Sequence, residues 1–151
     1  MTKKNKVNIA QIGVGYWGPN LLRNLIASSE CVVRRVVDVS DERLKFVRGL
    51  YPSIDASTNS EDVFNDPEID AVVIATPVAT HFDLAVKALE KGKHILIEKP
   101  MAKSVAEVEK IGELSAGKNL VAMVGHTFLY NAAVRYLKQL IESGELGEVR
   151  Y

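Results

Sequence analysis

A doubly wound α/β fold is predicted by three features of this 151-residue sequence. Short β-branched runs alternate with longer stretches of helical period, which implies βαβ units and a parallel sheet. The run Ala71-Val72-Val73-Ile74-Ala75 is apolar on both faces, as a central strand covered by helices on either side should be. A glycine-rich turn, Gly13-Val14-Gly15-Tyr16-Trp17-Gly18, joins the first strand to the first helix. A closed (β/α)8 barrel shares the alternation but takes about 250 residues. This chain is too short for it.

The elements follow in order. Residues 7–12 read as the first strand and 17–28 as the helix after the glycine turn. Residues 32–37 form a second strand, and Ser40 then offers an N-cap with Asp41 and Glu42 in the first turn, where the helix dipole favours acids. Residues 53–57 give a weak third strand, and Ser60 starts a short helix. After the central strand at 71–75, Thr80 and Asp83 have the spacing of a capping box. Phe82, Ala85, Val86 and Leu89 supply the apolar face of that helix, and Gly92 closes it. Residues 94–97 are the next strand. Ser104 with Glu107 repeats the capping signal ahead of a stripe of Val105, Val108 and Ile111. A strand at 120–125 follows. Asn131 then caps a last helix with Val134, Leu137, Leu140 and Ile141 on one side.

Composition narrows the function classes. The chain is 47% hydrophobic and 25% charged, with 19 basic residues balancing 19 acidic ones. A chain of this size can bury about 68% of its unfolded surface, ample for one core. Zero net charge argues against nucleic-acid binding, which normally needs a basic excess. The single cysteine, Cys31, cannot form an internal disulfide or a cysteine-rich zinc site, so it reads as a small core residue in a reducing compartment. Lys3, Lys4 and Lys6 resemble the start of a signal peptide, but Asn8 and Gln11 break the apolar stretch behind them. With no run near the roughly 20 apolar residues of a membrane span, a soluble cytoplasmic domain is expected, with no membrane partner and no metal.

The glycine turn stands in the context required to bind a dinucleotide, directly after a strand and opening a helix. Gly13 permits the tight turn, Gly15 lacks the Cβ that would keep a pyrophosphate off the backbone, and Gly18 lets helix and strand pack closely. The free N–H groups near Tyr16 and Trp17 then face the phosphates along the favourable end of the dipole. A turn shaped by packing alone is the alternative. Asp38 lies at the end of the second strand, where a Rossmann unit places a carboxylate on the adenosine ribose. An ionised acid there repels a 2′-phosphate, so NAD is expected over NADP. Asp38 could instead cap the next helix with Ser40, and Arg43, one turn on, could reach a phosphate.

Ligands of open parallel sheets bind beyond the carboxyl ends of the strands, and three more polar clusters fall there. Thr76-Pro77 can hydrogen-bond and stiffen a ribose site. His81, in a helical first turn, is expected to be neutral and to donate to cofactor or substrate, or else to take part in capping. Glu98-Lys99-Pro100 carries the most chemistry. Alternation sends Glu98 and Lys99 to opposite sides, and Pro100 holds Lys99 extended or takes a cis bond. A lysine there can stabilise the alkoxide character that develops during hydride transfer; the alternative is an ordinary exposed pair of little energetic weight. Gly125-His126-Thr127 leads to Tyr130 and Asn131, with His126 and Asn131 on the substrate side; the alternative for His126, at a strand end, is to be satisfied by backbone partners. His94, at the far end of its strand, reads as structural.

Taken in order, these motifs closely resemble the N-terminal half of the Gfo/Idh/MocA family of NAD(P)-dependent oxidoreductases. The matching run is Gly13 to Gly18, Asp38, Ala75-Thr76-Pro77 with His81, Gly92-Lys93-His94, Glu98-Lys99-Pro100-Met101 and Gly125-His126. The resemblance implies a Rossmann domain over 1–125, and a connecting helix and first strand of a second α/β domain over 126–151. It implies oxidation or reduction of sugars, nucleotide sugars or inositol-like polyols, by a homo-oligomer of the intact protein. It makes Lys99 the active-site lysine, with Gly13, Gly15, Asp38, Thr76, Pro77, His81 and Glu98 around the cofactor. The stretch from His126 to Asn131 resembles members acting on nucleotide-linked sugars, although Ala132 stands where many relatives have proline. Relatives carry the aspartate and histidine that accept the substrate proton in the second domain. The chain therefore reads as a fragment that binds NAD without turnover, whose last helix exposes apolar surface. A dinucleotide-sensing regulator on the same fold is the alternative.

Overall fold

The computed structural model describes residues 6–150, so Lys3, Lys4 and Tyr151 lie outside the described residues. The elements run β1 (Val7–Ile12), α1 (Gly18–Ala27), β2 (Cys31–Val37), α2 (Asp41–Leu50), β3 (Asp55–Ser57), α3 (Glu61–Phe64) and β4 (Ala71–Ile74). They continue as α4 (His81–Glu90), β5 (His94–Ile97), α5 (Val105–Gly117), β6 (Ala122–Val124) and α6 (Ala132–Glu142). All strand pairs are parallel, and the sheet order is β3-β2-β1-β4-β5-β6. That is the doubly wound Rossmann order, and the direction of winding reverses between β1 and β4. The two strands diverge there to α1 and α4, opening a crevice at their carboxyl ends.

Each sheet face carries its own apolar layer. Leu22, Val33, Val36, Leu44 and Val47 pack α1 and α2 onto β2. Phe64, Val72, Ile74, Ala88, Leu89, Ile97 and Ile111 join α3, α4 and α5 to the other face. The predicted central strand is the most enclosed, with Val72, Val73 and Ile74 all buried. Gly92 takes φ +76° after α4, a left-handed conformation that glycine adopts without penalty. Among the described residues no helix is long and apolar enough to cross a membrane.

Two local expectations are corrected. Thr80 does not cap α4 with its side chain, because a 3-10 turn over Val78–Thr80 runs straight into the helix and leaves Thr80 helical. Its hydroxyl instead lies 2.8 Å from Thr76 Oγ1 and 2.9 Å from the Pro77 carbonyl. Val105 and Val108 are exposed; α5 reaches the core through Ile111, with Leu114 packed against it, because it covers the edge of the sheet. Residues 147–150, read as part of the first strand of a second domain, form no ladder among the described residues. Asn131 does cap α6, its Oδ1 accepting from Ala133 N and Val134 N. No residue of α6 is buried, and Leu137 and Ile141 face solvent.

Candidate dinucleotide site

The glycine turn is shaped from within by close backbone contacts. Gly13 has φ +96°, and a Cβ there would stand 2.5 Å from the Ala75 carbonyl oxygen. Its N–H donates to the Val37 carbonyl at 2.7 Å, tying the turn to β2. A Cβ on Gly18 would meet the Gly13 carbonyl oxygen at 2.5 Å. Gly15 differs: a Cβ there would meet nothing nearer than Arg43 Nη1 at 3.7 Å. That side of the turn is open. Among the described residues no hydrogen bond leaves the N–H groups of Gly15, Tyr16 or Trp17. Orphan amides at a helix start, on the positive end of its dipole, form an anion cradle.

A cleft of about 930 Å³ opens from this cradle along the carboxyl ends of the strands. Gly13, Gly15, Tyr16 and Trp17 line one wall, and Asp38 lies beside them. Thr76, Pro77, Glu98 and Lys99 line the far part, as do Thr127 and Phe128. Gly18 lies behind the turn. The size suits a ligand of dinucleotide class. These residues fit the cofactor that the motif predicts.

Asp38 is buried and well held. Its Oδ2 accepts from Val14 N at 2.8 Å and its Oδ1 from Ser40 N at 2.9 Å, with the Arg43 guanidinium 3.5 Å from Oδ1. The two carboxylate oxygens offer about four acceptor sites, so capacity remains for sugar hydroxyls. Ser40 does cap α2 by accepting from Arg43 N, so Asp38 organises the turn and also faces the cleft.

Pairing of β5 ends at Ile97, and both Glu98 and Lys99 line the cleft beyond it. They form no ion pair. Glu98 Oε2 accepts from Lys99 N at 3.2 Å, and its carboxylate lies so close to Gly125 that a Cβ there would stand 3.1 Å from Oε1. Lys99 is exposed, its bond to Pro100 is cis, and its Nζ has no hydrogen bond or ion pair among the described residues. An unpaired ammonium therefore faces the cleft.

His81 departs from expectation. It is buried, with Nδ1 2.9 Å from the Pro100 carbonyl and Nε2 2.8 Å from the Thr76 carbonyl. Neither nitrogen is open to a ligand; the ring ties the Thr76-Pro77 turn to the Lys99-Pro100 loop. His126 is exposed and does not line the cleft, and Asn131 Oδ1 is engaged in capping α6. His94 Nδ1 accepts from Val121 N at 2.9 Å, a structural contact. Cys31 is half-buried, its thiol 3.2 Å from the Leu25 carbonyl.

Sequence reasoning missed Thr58 and Ser60, which line the cleft beyond β3. The carboxyl-end rule, applied to the weak third strand, could have found them. Gln11 was also passed over, although a polar residue between the apolar Ala10 and Ile12 was a visible signal. Among the described residues no group of three or more His, Cys, Asp or Glu side chains could hold a metal ion.

Comparison with known proteins agrees with this geometry. A family profile described as an oxidoreductase family with an NAD-binding Rossmann fold, GFO_IDH_MocA, matches residues 7–126. The scyllo-inositol 2-dehydrogenase (NAD(+)) of Bacillus subtilis is 32% identical over 98% of this chain and 44% of its own length. Scyllo-inositol dehydrogenase from Lactobacillus casei, solved with NAD(H) and scyllo-inositol, aligns with TM-score 0.86 at 24% identity, over 95% of this chain and 43% of that one. A 3-ketoreductase from Actinomadura kijaniata, solved with NADP and TDP-benzene, gives TM-score 0.88 at 22% identity, over 97% and 45%. The two structures share the fold. The chain spans less than half the length of the curated relatives it matches. With its six-stranded parallel sheet, open glycine turn and family match over residues 7–126, the chain belongs to the Gfo/Idh/MocA family of oxidoreductases and carries its NAD(P)-binding Rossmann fold.

Proposed function

We propose that this chain is the cofactor-binding part of a cytoplasmic, homo-oligomeric dehydrogenase that acts on a CH–OH group of a sugar, nucleotide sugar or inositol-like polyol. One observation carries the reading: the unbonded amides of Gly15, Tyr16 and Trp17 share a single cleft with the Asp38 carboxylate and the unpaired Lys99 ammonium. The amides hold the diphosphate, Gly13 and Gly18 shape their turn, and Asp38 accepts from the ribose hydroxyls. Thr76 and Pro77 floor the nicotinamide half, with His81 holding that floor in place and Glu98 bracing the strand end against Gly125. When bound, the nicotinamide ring supplies or accepts a hydride. Lys99 hydrogen-bonds the reacting oxygen and stabilises its negative charge as the C–H bond changes hands. In this reading His126 and Asn131 lie toward the substrate side, with residues 1–125 as the cofactor domain and 126–151 as the connecting helix and first strand of a second domain.

NAD is the preferred cofactor, because an ionised Asp38 repels a 2′-phosphate. Calorimetric titration of this chain with NAD⁺ and NADP⁺ tests both points. NAD⁺ is expected to bind more tightly and without turnover. Tighter NADP⁺ binding would remove Asp38 from its role, and no binding of either nucleotide would end the reading. In the intact protein, turnover separates a dehydrogenase from a dinucleotide-sensing regulator.

A further inference from the structure

Gln11 precedes the last residue of β1, between Ala10 and Ile12, and its side chain is fully enclosed. An aliphatic side chain would fill this position at lower desolvation cost. The carboxamide instead reaches the glycine turn from beneath. Its Nε2 donates to the Gly13 carbonyl at 2.9 Å and to the Gly18 carbonyl at 2.8 Å. Those two carbonyls bracket the turn, and the open amides of Gly15, Tyr16 and Trp17 lie between them. There is no slack around the clamp: a Cβ on Gly18 would stand 2.5 Å from the Gly13 oxygen and 3.2 Å from Gln11 Nε2.

The other end of the carboxamide has no such use. Oε1 is buried and lacks a hydrogen-bond partner among the described residues. Two carbonyl acceptors require the NH₂ end to face them, so the orphan is the oxygen. A buried, unpartnered acceptor is a liability to folding. Stability alone does not account for a glutamine here.

We propose that Gln11 is a positioning residue for the cofactor diphosphate, clamping the Gly13 and Gly18 carbonyls so that the intervening amides converge on one anion. This rests on the dinucleotide reading above and adds to it a residue that does not line the cleft. Because the clamp acts on the phosphate cradle, loosening it weakens diphosphate ligands and spares those without a diphosphate.

The test uses this chain and its single tryptophan, Trp17, which lies in the cradle and reports binding by its fluorescence. Wild type, Gln11→Leu and Gln11→Met are titrated with NAD⁺, ADP and AMP, and each is melted thermally. In both variants NAD⁺ and ADP should bind about tenfold more weakly, the scale of one neutral hydrogen bond's net worth. AMP affinity should not change, and the melting temperature should shift little, because the loss of a donor to two carbonyls is set against the removal of the unpartnered Oε1. Unchanged ADP binding, or equal weakening of ADP and AMP, overturns the proposal. So does loss of the fold in both variants, which would make Gln11 a structural residue. Failure of the wild type to bind NAD⁺ would overturn the dinucleotide reading itself, whereas wild-type binding that the variants retain overturns the clamp alone.

Discussion

Lys93 and Lys99 flank the same strand, β5, at opposite ends of the sheet. Lys93 is buried, and its Nζ donates to the Asp66 and Ile69 carbonyls at 2.6 and 2.7 Å. Lys99 is exposed in the cleft, with no partner for its Nζ among the described residues. Their neighbours follow the same division. At the amino end Asp70 accepts from Asn8 N and His94 from Val121 N, so polar groups there are satisfied within the protein. At the carboxyl end three amides of the glycine turn and one ammonium are left open. In a parallel sheet every crossover helix starts at the carboxyl end, so orphan N–H groups and positive dipole ends gather there. The amino end holds the fold together, and the carboxyl end is built to receive a ligand.

The largest expected effect falls on Lys99. In the intact protein, Lys99→Met should lower kcat by about 10²–10³-fold, the usual loss for one donor to a developing oxyanion. The melting temperature should not move; a fall would show that Lys99 is as structural as Lys93. Gly13→Ala comes next. A methyl placed 2.5 Å from the Ala75 oxygen at φ +96° should cost roughly 3 kcal/mol or more, read by urea denaturation of this chain. An unchanged midpoint would mean that the turn relaxes freely.

Lys93→Met should destabilise by about 2 kcal/mol, because two buried carbonyls lose their donor. Nicotinamide nucleotide affinity should stay the same, and a selective loss of affinity would break the division between the two ends. The smallest effect sharpens it. Ser104 caps α5 at the carboxyl end by accepting from Glu107 N, while Glu107 reaches back to Lys103 N. Ser104→Ala should cost about 1 kcal/mol in a thermal melt. Cofactor affinity should be untouched, because this helix start is closed by its own side chains while that of α1 is open.

Much of the molecule was legible before any coordinates. The alternation of elements, the central strand, the glycine turn and the Asp38, Thr76 and Lys99 positions all follow from local rules: side-chain period, turn chemistry and motif spacing. The errors also have a common cause. Thr80 and Asp83 have capping-box spacing, yet the preceding 3-10 turn holds Thr80 in a helical conformation. Val105 and Val108 have helical spacing, but an edge strand offers them nothing to pack against. The exposed apolar side of α6, by contrast, is as expected, since spacing alone supplies no neighbour to bury it.

The sequence by itself determined most of the strands and helices and the position of the open glycine turn, because those outcomes depend on neighbouring residues. Only the tertiary structure decided which polar groups remain free. His81 is closed off by a carbonyl 19 residues away and Lys93 by one 24 residues away, while Lys99 meets none. A side chain's type sets what bonds it can make; long-range packing sets which of those bonds are already made.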